Sequence, residues 1–333
     1  MLIGADFQQI GRCDDSHRPL FPAAGRCVMA IGMRMSLRLS LALLVLPGLL
    51  CFGGLVSRLS AGEQPADAAN FHRDRLVAWC IVPFDAKQRG PAARADMVRG
   101  LGLSRVAYDW RESHVPTFED EILQYQRQKI EYFAFWSWHD AMEPLIKKHG
   151  IQPQIWYMFP QPAGETQEQK VQSAVQGLLP MVQKTAGLGL KLGLYNHGGW
   201  SGEPANMVAV CQALREQHGA NHVGIVYNLH HAHEHIVDFE QQLKVLQPWL
   251  LCLNLNGMND GAQPKILPIG QGQHERRMIQ LILKSGYDGA IGIIDHREQL
   301  DAELSLQQNL TGLADVLRAL GQEQAAASFG AVK

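Results

Sequence analysis

The chain has 333 residues, of which 46% are hydrophobic and 19% are charged, and this is the composition of a globular protein with one large domain or two ordinary ones. Its formal net charge at pH 7 is −2 and its isoelectric point is about 6.7. Because no excess of basic residues is present to hold a phosphate backbone, we do not expect nucleic acid as a partner.

Residues 33–69 have the pattern of an export signal. Arg34 and Arg38 precede an apolar run without charge at 41–56, and small residues that suit a cleavage site follow it. The run is shorter than the ~20 residues of a membrane-spanning helix, and proline and glycine interrupt it. We therefore expect an exported protein, periplasmic or extracellular, whose mature chain begins between about 60 and 70. The alternative is an uncleaved segment that anchors the chain in a membrane.

Residues 1–32 have no pattern of their own, and we interpret them as an extension upstream of the true start. Three of the six cysteines precede residue 52. The other three lie in apolar segments without motif spacing, and they are Cys80, Cys211 and Cys252. This pattern predicts buried thiols rather than disulfides or a zinc site.

From Leu76 onward, short apolar runs alternate with longer helical patterns, which is typical of a parallel sheet with crossover helices. The predicted strands begin at Leu76, Arg105, Glu131, Gln152, Lys191, Val223, Leu250 and Gly289. The predicted helices cover 91–101, 117–129, 140–149, 165–187, 203–218, 234–247, 273–285 and 305–320. Eight such units predict a single closed (β/α)8 TIM barrel in residues 70–322, with a tail at 323–333. An open doubly wound sheet is the alternative, but no G-x-G-x-x-G motif follows the first strand.

Polar residues stand where six of the predicted strands end. In a TIM barrel, these ends and the loops after them form the active site. The polar groups are Asp109 to Glu112, Trp138 and His139, Tyr195 to His197, Asn228 to His231, Asn254 to Asn256, and Asp295 to Arg297. Their convergence indicates a ligand site rather than strand capping alone.

The fifth of these ends, KLGLYNHGGWSGEP at 191–204, combines an imidazole with two glycines and a tryptophan. Gly198 and Gly199 predict a sharp turn that presents His197 to a ligand and lets Trp200 lie against it. Tryptophans near a barrel mouth offer flat apolar faces edged by N–H donors, which suits a sugar ring. We therefore expect a small-molecule carbohydrate as the ligand.

Three motifs carry a resemblance to a known family. They are Asn196-His197-Gly198-Gly199 after the fifth strand, Asn228-x-x-His231 after the sixth, and Gly289-x-x-Gly292-x-x-Asp295 through the eighth. On these motifs the chain resembles the xylose isomerase-like TIM barrels over about residues 74–322. This superfamily contains sugar and sugar-phosphate isomerases and epimerases, and the similarity is greatest to its exported members from planctomycete-type bacteria.

The resemblance also implies where a metal would bind. Characterised epimerases of this superfamily hold one divalent ion with Glu, Asp, His and Glu after strands five to eight. The matching positions here are Tyr195, Asn228, Asn254 and Asp295. One carboxylate with two amides is a poor ligand set for a hard divalent ion. No metal or other cofactor is therefore expected, and Asp295 with His231 is the pair that remains if an ion does bind.

Without a metal, we take three residues as the candidate catalytic groups. His197, His231 and Asp295 follow strands five, six and eight, and they are predicted to converge as a base, an acid and an orienting carboxylate near neutral pH. The resemblance implies that His231 contacts the substrate. The predicted substrate-binding residues are Asp109, Glu112, Trp138, His139, Trp156, Tyr195, Trp200, Asn228, Asn254, Asn256, Lys265 and His296.

Two further segments carry polar groups toward the predicted mouth. The HHAHEH tract at 230–235 resembles a metal tract, but its place between a strand and a helix favours capping and hydrogen bonding. The loop at 256–274 is long for a compact domain, and its glycines would let it fold over the mouth as a lid that carries Lys265. The alternative for this loop is a surface excursion.

The sequence therefore predicts a sugar isomerase or epimerase that acts beside a carbonyl and has a degraded metal site. Two alternatives remain, which are a non-catalytic carbohydrate-binding barrel and a metal-independent lyase on oxidised sugars. The missing carboxylates and the absent positive field disfavour a metal-dependent phosphodiester hydrolase. No oligomeric state is predicted.

Overall fold

The apolar runs of the sequence form parallel strands that close into a barrel. The computed structural model describes residues 68–330. The strands are β1 (Val77–Trp79), β2 (Arg105–Tyr108), β3 (Glu131–Trp136), β4 (Gln154–Tyr157), β5 (Leu192–Tyr195), β6 (Val223–Asn228), β7 (Leu250–Leu255) and β8 (Ala290–Ile294). Each pairs in parallel with the next, and β8 pairs with β1. The predicted TIM barrel is confirmed, and the open sheet is wrong.

A helix follows each strand and packs outside the barrel. The helices are α1 (Pro91–Gly100), α2 (Phe118–Gln128), α3 (Met142–His149), α4 (Gln167–Gly187), α5 (Pro204–His218), α6 (Phe239–Leu246), α7 (Glu275–Lys284) and α8 (Ala302–Ala319). The bounds agree with the sequence prediction to within three residues, except at the start of α6. There the predicted start at 234 is wrong, because His233–His235 forms a separate 3-10 turn.

The predicted upstream extension and the predicted export segment, except its last two residues Ala68 and Ala69, lie outside the described residues, as do the last three residues of the predicted tail. Within residues 68–330, no helix is long and apolar enough to cross a membrane. The first part of the predicted tail is a helix, α9 (Glu323–Ala327), with Ala325 and Ala326 buried. Its apolar side chains explain why this part packs against the domain instead of fraying.

Two apolar cores result from the alternation of side chains along the strands. The larger core lies between the sheet and the helices, and the smaller one fills the barrel interior. In the interior, the rings of Trp79 and Trp156 meet edge to face with centroids 4.9 Å apart, and Tyr195 lies above them at 6.1 Å from Trp79. The barrel is therefore packed rather than hollow, and the polar residues beyond the strands surround a mouth with an aromatic floor.

The described cysteines behave as the sequence predicts. Cys80, Cys211 and Cys252 are free thiols, and all three are buried. Cys252 lies in the interior core, where its Sγ is 3.5 Å from Oδ1 of Asn254.

A ladder of buried amides joins the ends of β5, β6 and β7. Oδ1 of Asn196 accepts from the backbone N–H of Asn228 at 2.7 Å and from its Nδ2 at 2.9 Å. Nδ2 of Asn254 donates to Oδ1 of Asn228 at 2.7 Å. On β8, Gly292 faces the end of this ladder, and a Cβ at that position would lie 1.7 Å from Oδ1 of Asn254. The ladder fits because β8 carries no side chain there.

We expect Gly292→Ala to destabilise the protein by about 2 to 4 kcal/mol, because the new methyl group displaces a buried amide from its hydrogen bonds. The matched control is Gly177→Ala in α4, where an added Cβ meets no heavy atom within 4 Å. It should be neutral or should stabilise the protein by up to ~1 kcal/mol through helix propensity. Urea unfolding measures both variants, and equal stability of the two would contradict the packing described here.

Candidate functional site

Four imidazoles come together at the C-terminal rim of the barrel, and we call them the histidine cluster: His197, His230, His231 and His296. The ring centroids of His197 and His231 are 4.5 Å apart, and those of His230 and His231 are 3.8 Å apart. His296 lies 5.9 Å from His230. The predicted convergence of the strand ends thus brings His197 and His231 into contact, although they are 34 residues apart in the chain.

The backbone after β5 and β8 holds two of these rings in place. Gly198 and Gly199 have φ angles of 80° and 61°, which gives the sharp turn that the sequence predicts after His197. His296 itself has φ of 28°, a left-handed conformation that is uncommon outside glycine. Its ring packs on Phe84 with centroids 3.8 Å apart. Non-glycine residues held in this conformation are concentrated at functional sites.

The loop after β7 folds over the mouth, as a lid would, and is fastened at its base. The Glu275 carboxylate accepts from the backbone N–H groups of Met258, Gly270 and Gly272 at 3.0, 2.9 and 2.8 Å. Ile266 packs against the interior core of the barrel. Next to it, Lys265 reaches the histidine cluster.

The contact between Lys265 and His231 indicates which ring nitrogen of the histidine carries the proton. Nζ of Lys265 lies 3.4 Å from Nδ1 of His231. An ammonium group only donates, so Nδ1 must accept and the one ring proton must sit on Nε2. Burial lowers the pKa of His231 to about 2, with His197 and Lys265 acting in the same direction. His231 is therefore a neutral donor at pH 7, and the predicted pKa near neutrality is wrong for this residue.

His197 is the exposed member of the cluster. Partial burial lowers its pKa from the ordinary value, and the charge of Lys265 lowers it further. Its imidazole is consequently neutral at pH 7 and has a free nitrogen for proton transfer. The two predicted catalytic histidines thus differ in access, because His231 is half-buried behind its contact with Lys265.

Asp295, the third predicted catalytic residue, belongs to a different group of side chains. It is fully buried, and neither carboxyl oxygen has a hydrogen-bond partner of good geometry. Burial raises its pKa to about 8; Ser305 and Arg297 oppose this shift, and Asp109 adds to it. Within the described residues, Asp295 therefore forms no hydrogen bond with His197 or His231.

Asp109 and Asp295 form a buried carboxyl pair around the end of β1. Burial raises the pKa of Asp109 to about 7, and Arg111 opposes the shift. The Cys80 thiol interacts with both carboxyls, and its pKa is raised by burial first and by them second. At neutral pH, Asp295 is therefore mostly protonated and Asp109 about half protonated, whereas ordinary aspartates are ionised.

Several predicted contact residues form the floor of the mouth. Trp156 and Tyr195 are buried in the interior core, and Nε1 of Trp156 donates to Gln154 at 3.0 Å. Asn228 and Asn254 are engaged in the amide ladder. The side chain of Asn256 is also buried, and its amide donates to the backbone oxygen of Gly257 at 2.8 Å.

Three other predicted contacts face the outer layer. Nε1 of Trp138 donates to Asp140 at 2.8 Å, and Nε1 of Trp200 donates to Gln167 on α4 at 2.9 Å. The His139 ring packs edge-on against Trp110, with centroids 5.0 Å apart. These rings pack against the helices, because the chain leaves the sheet after each strand and turns outward. Glu112 begins an exposed 3-10 turn, Glu112–Thr117.

His230 and Arg111 lie within the polar strand ends predicted from the sequence, but they are not among the individually predicted catalytic or substrate-binding residues. His230 is buried in the cluster and follows Asn228 by two residues. Arg111 follows Asp109 by two residues, and its guanidinium lies 5.3 Å from the Phe84 ring centroid. Both residues lie beyond the last residue of their strand, and His230 lies in the 3-10 turn Leu229–His231, so strand alternation does not indicate where their side chains point.

The residues at the expected metal positions do not fit a divalent ion. The Tyr195 phenol is buried with its pKa raised, and the amides of Asn228 and Asn254 bind each other. The fourth position, Asp295, retains a proton near pH 7. In the described part of the chain, no three His, Cys, Asp or Glu side chains are grouped so as to hold an ion. The donor chemistry of these four positions therefore disagrees with the metal site that the resemblance implies.

Solved structures with the same fold include three that are informative here. The IolI protein with a bound zinc atom has a TM-score of 0.56 and 13% identity, covering 73% of this chain and 98% of its own. The 3-keto-D-glucoside 4-epimerase YcjR from E. coli has a TM-score of 0.51 and 11% identity, and the match covers 70% of this chain and 94% of the YcjR chain. A xylose isomerase-like TIM barrel protein from Mycobacterium smegmatis in complex with magnesium has a TM-score of 0.50 and 15% identity. This match covers 75% of the present chain and 99% of the M. smegmatis chain.

These likenesses show the fold, a xylose isomerase-like TIM barrel, as the sequence resemblance predicts. No protein-family model matches the sequence, and no curated protein matches it significantly.

We expect Asp109→Asn and Asp295→Asn to stabilise the protein more at pH 8 than at pH 5. The unfolded chain loses these protons near pH 4, whereas the folded protein holds them to pH values of about 7 and about 8. Stability is therefore lost as the pH rises from 4 to 8, and a neutral amide avoids that loss. Urea unfolding at both pH values measures the gain. The control is the exposed Asp288→Asn, and a gain independent of pH would contradict the buried carboxyl pair.

Proposed function

We propose that this protein is a sugar isomerase or epimerase-like enzyme that transfers a proton on the carbon beside a carbonyl. The observation that carries the proposal is the contact of Lys265, His231 and His197 at the rim. Lys265 supplies a cation, His231 a neutral N–H donor and His197 an exposed neutral base, and all three lie at the same mouth. These are the groups that enolisation of a keto-sugar requires.

In the first half of the reaction, Nε2–H of His231 donates a hydrogen bond to the carbonyl oxygen of the sugar. His197 removes the proton from the adjacent carbon, so that the C–H bond breaks and an N–H bond forms on the imidazole. The electron pair of the C–H bond becomes the new carbon–carbon double bond, and negative charge develops on the oxygen. The fixed charge of Lys265, transmitted through His231, stabilises this oxyanion.

In the second half, the protonated His197 gives up its proton. Return to the former carbonyl carbon, while the proton of the adjacent hydroxyl passes to the former carbonyl oxygen, gives the aldose–ketose isomer. Protonation of the first carbon on its opposite face by a water molecule gives the epimer, and His197 then releases its proton to solvent. Either outcome leaves the enzyme unchanged and needs no oxidant or external cofactor.

The structural neighbours support the sugar part of this proposal, since one of them is a 3-keto-D-glucoside 4-epimerase. Two others contain zinc or magnesium. Because the residues at the four expected positions of this chain do not fit an ion, no step of the proposed reaction passes through a metal. We further propose, on the pattern at 33–69, that the protein is exported and acts outside the cytoplasm on a carbohydrate.

The proposed chemistry predicts exchange of the sugar proton with solvent. In deuterium oxide, the wild type should incorporate deuterium beside the carbonyl of a keto-sugar from a panel followed by NMR. His197→Ala should slow this exchange by at least ~100-fold because it removes the base. Lys265→Met should slow it by about 100-fold because it removes the charge that stabilises the oxyanion.

Lys191→Met is the matched control, because Lys191 is exposed before the start of β5 at the opposite rim. It should exchange at the wild-type rate. Sugar binding without any exchange would establish the alternative, a carbohydrate-binding barrel. Equal exchange by all three variants would place the chemistry elsewhere.

The disagreement at the metal positions gives a second prediction. Purified protein should contain well under one equivalent of tightly bound divalent metal. Added manganese or zinc should not raise its melting temperature by the mass-action amount that a ligand specific for the folded state produces. Elemental analysis and thermal unfolding measure both quantities. A stoichiometric ion that is lost in Asp295→Ala would restore the metal-dependent mechanism.

A further inference from the structure

Two cations at the mouth have no acidic partner. Nζ of Lys265 contacts only Nδ1 of His231, and Nη1 of Arg111 donates to the backbone oxygen of Trp110 at 2.8 Å. Within residues 68–330 neither side chain makes an ion pair with a carboxylate. The protein thus presents two positive charges at its rim that form no ion pair with a described carboxylate.

Three acidic residues of the neighbouring loops are paired with other side chains. Asp140 binds Lys184 at 3.1 Å, Glu203 binds His235 at 3.1 Å, and Asp260 binds His274 at 2.7 Å. Asp109 is a buried carboxyl that interacts electrostatically with Arg111, but neither of its oxygens forms a hydrogen bond with the guanidinium. None of these four carboxyl groups therefore forms an ion pair with Lys265 or Arg111.

A continuous series of contacts joins the two cations, and we call it the imidazole arc. Nζ of Lys265 lies 3.4 Å from Nδ1 of His231. The ring centroids of His231 and His230 are 3.8 Å apart, those of His230 and His296 are 5.9 Å apart, and those of His296 and Phe84 are 3.8 Å apart. The guanidinium carbon of Arg111 lies 5.3 Å from the Phe84 centroid. Arg111 also lies 5.5 Å from the ring of Trp136. Stacking on two rings fixes the guanidinium before any ligand arrives, so its orientation is preorganised.

The middle of the arc contains polar atoms without partners. Nδ1 of His230 and Nδ1 of His296 are buried, and no described residue forms a hydrogen bond with either. His230 is only 1% exposed. A buried imidazole nitrogen without a partner has an energetic cost, which a ligand that supplies the partner removes. The cations at the two ends and the unpartnered imidazoles between them point to the same kind of ligand.

We propose that the imidazole arc binds an oxyanion, a carboxylate or a phosphate, between Arg111 and Lys265, so that the substrate is an acidic sugar derivative. This inference rests on the proposed function and names the substrate class for the same mouth. The guanidinium of Arg111 matches two oxygens of such a group, and Lys265 supplies the second charge. Anchoring the acidic end near His296 leaves His197 and His231 for the carbonyl end of the sugar.

Titration calorimetry on the full chain tests the inference with three probes, which are D-glucuronate, D-glucose 6-phosphate and D-glucose. At least one acidic probe should bind about tenfold or more tightly than D-glucose, and higher salt should weaken only the acidic probe. The preferred acidic probe identifies the oxyanion as a carboxylate or as a phosphate. Arg111→Gln should weaken binding of that probe about tenfold and leave D-glucose binding unchanged.

Lys191→Gln, at the opposite rim, should change neither affinity. Equal binding of all three probes, or an Arg111→Gln variant that weakens D-glucose equally, would overturn the acidic substrate. Refutation of the acidic substrate can be distinguished from refutation of the proposed function. If none of the probes binds but a neutral keto-sugar undergoes solvent exchange, the acidic substrate alone is refuted. If neither binding nor exchange occurs with any sugar, both proposals are refuted.

Discussion

Closure of the barrel is the constraint on which the arrangement of this protein depends. Eight parallel strands in one closed sheet bring every C-terminal strand end to one rim, so residues far apart in sequence become neighbours. Trp79, Trp156 and Tyr195 fill the interior below that rim. A ligand therefore cannot enter the barrel and must be held by what the strand ends and the following loops supply.

Two kinds of polar group occupy the rim, which are neutral amides that hold the strand ends together and cations that are available to a ligand. The amides of Asn196, Asn228 and Asn254 satisfy one another, so they hold three strand ends together without a charge or an ion. Lys265 and Arg111, in contrast, bring charges that form no ion pair with a described carboxylate. The first group accounts for rigidity without a metal, and the second accounts for the affinity and chemistry proposed for the mouth.

Alternation of apolar residues was sufficient to predict the fold, because burial on both faces of a parallel strand leaves a continuous apolar run. It was also sufficient to place His197 and His231 on one rim. It did not predict that Trp200 packs toward α4, because the direction of a side chain after a strand depends on the loop. Nor did it predict the pKa of His231, which depends on burial and on Lys265, 34 residues away in the sequence.

The proposed chemistry depends on the contact of Lys265 with Nδ1 of His231, which holds the ring proton on Nε2, while burial keeps the imidazole neutral. Long-range nitrogen–proton NMR of the histidine rings measures this directly, since the nitrogen shifts distinguish the two neutral tautomers from the imidazolium. The account predicts the Nε2–H tautomer of His231 from pH 5 to pH 8, and its loss in Lys265→Met. An imidazolium at pH 6, or a proton on Nδ1, would contradict the account, because His231 would then not accept from Lys265.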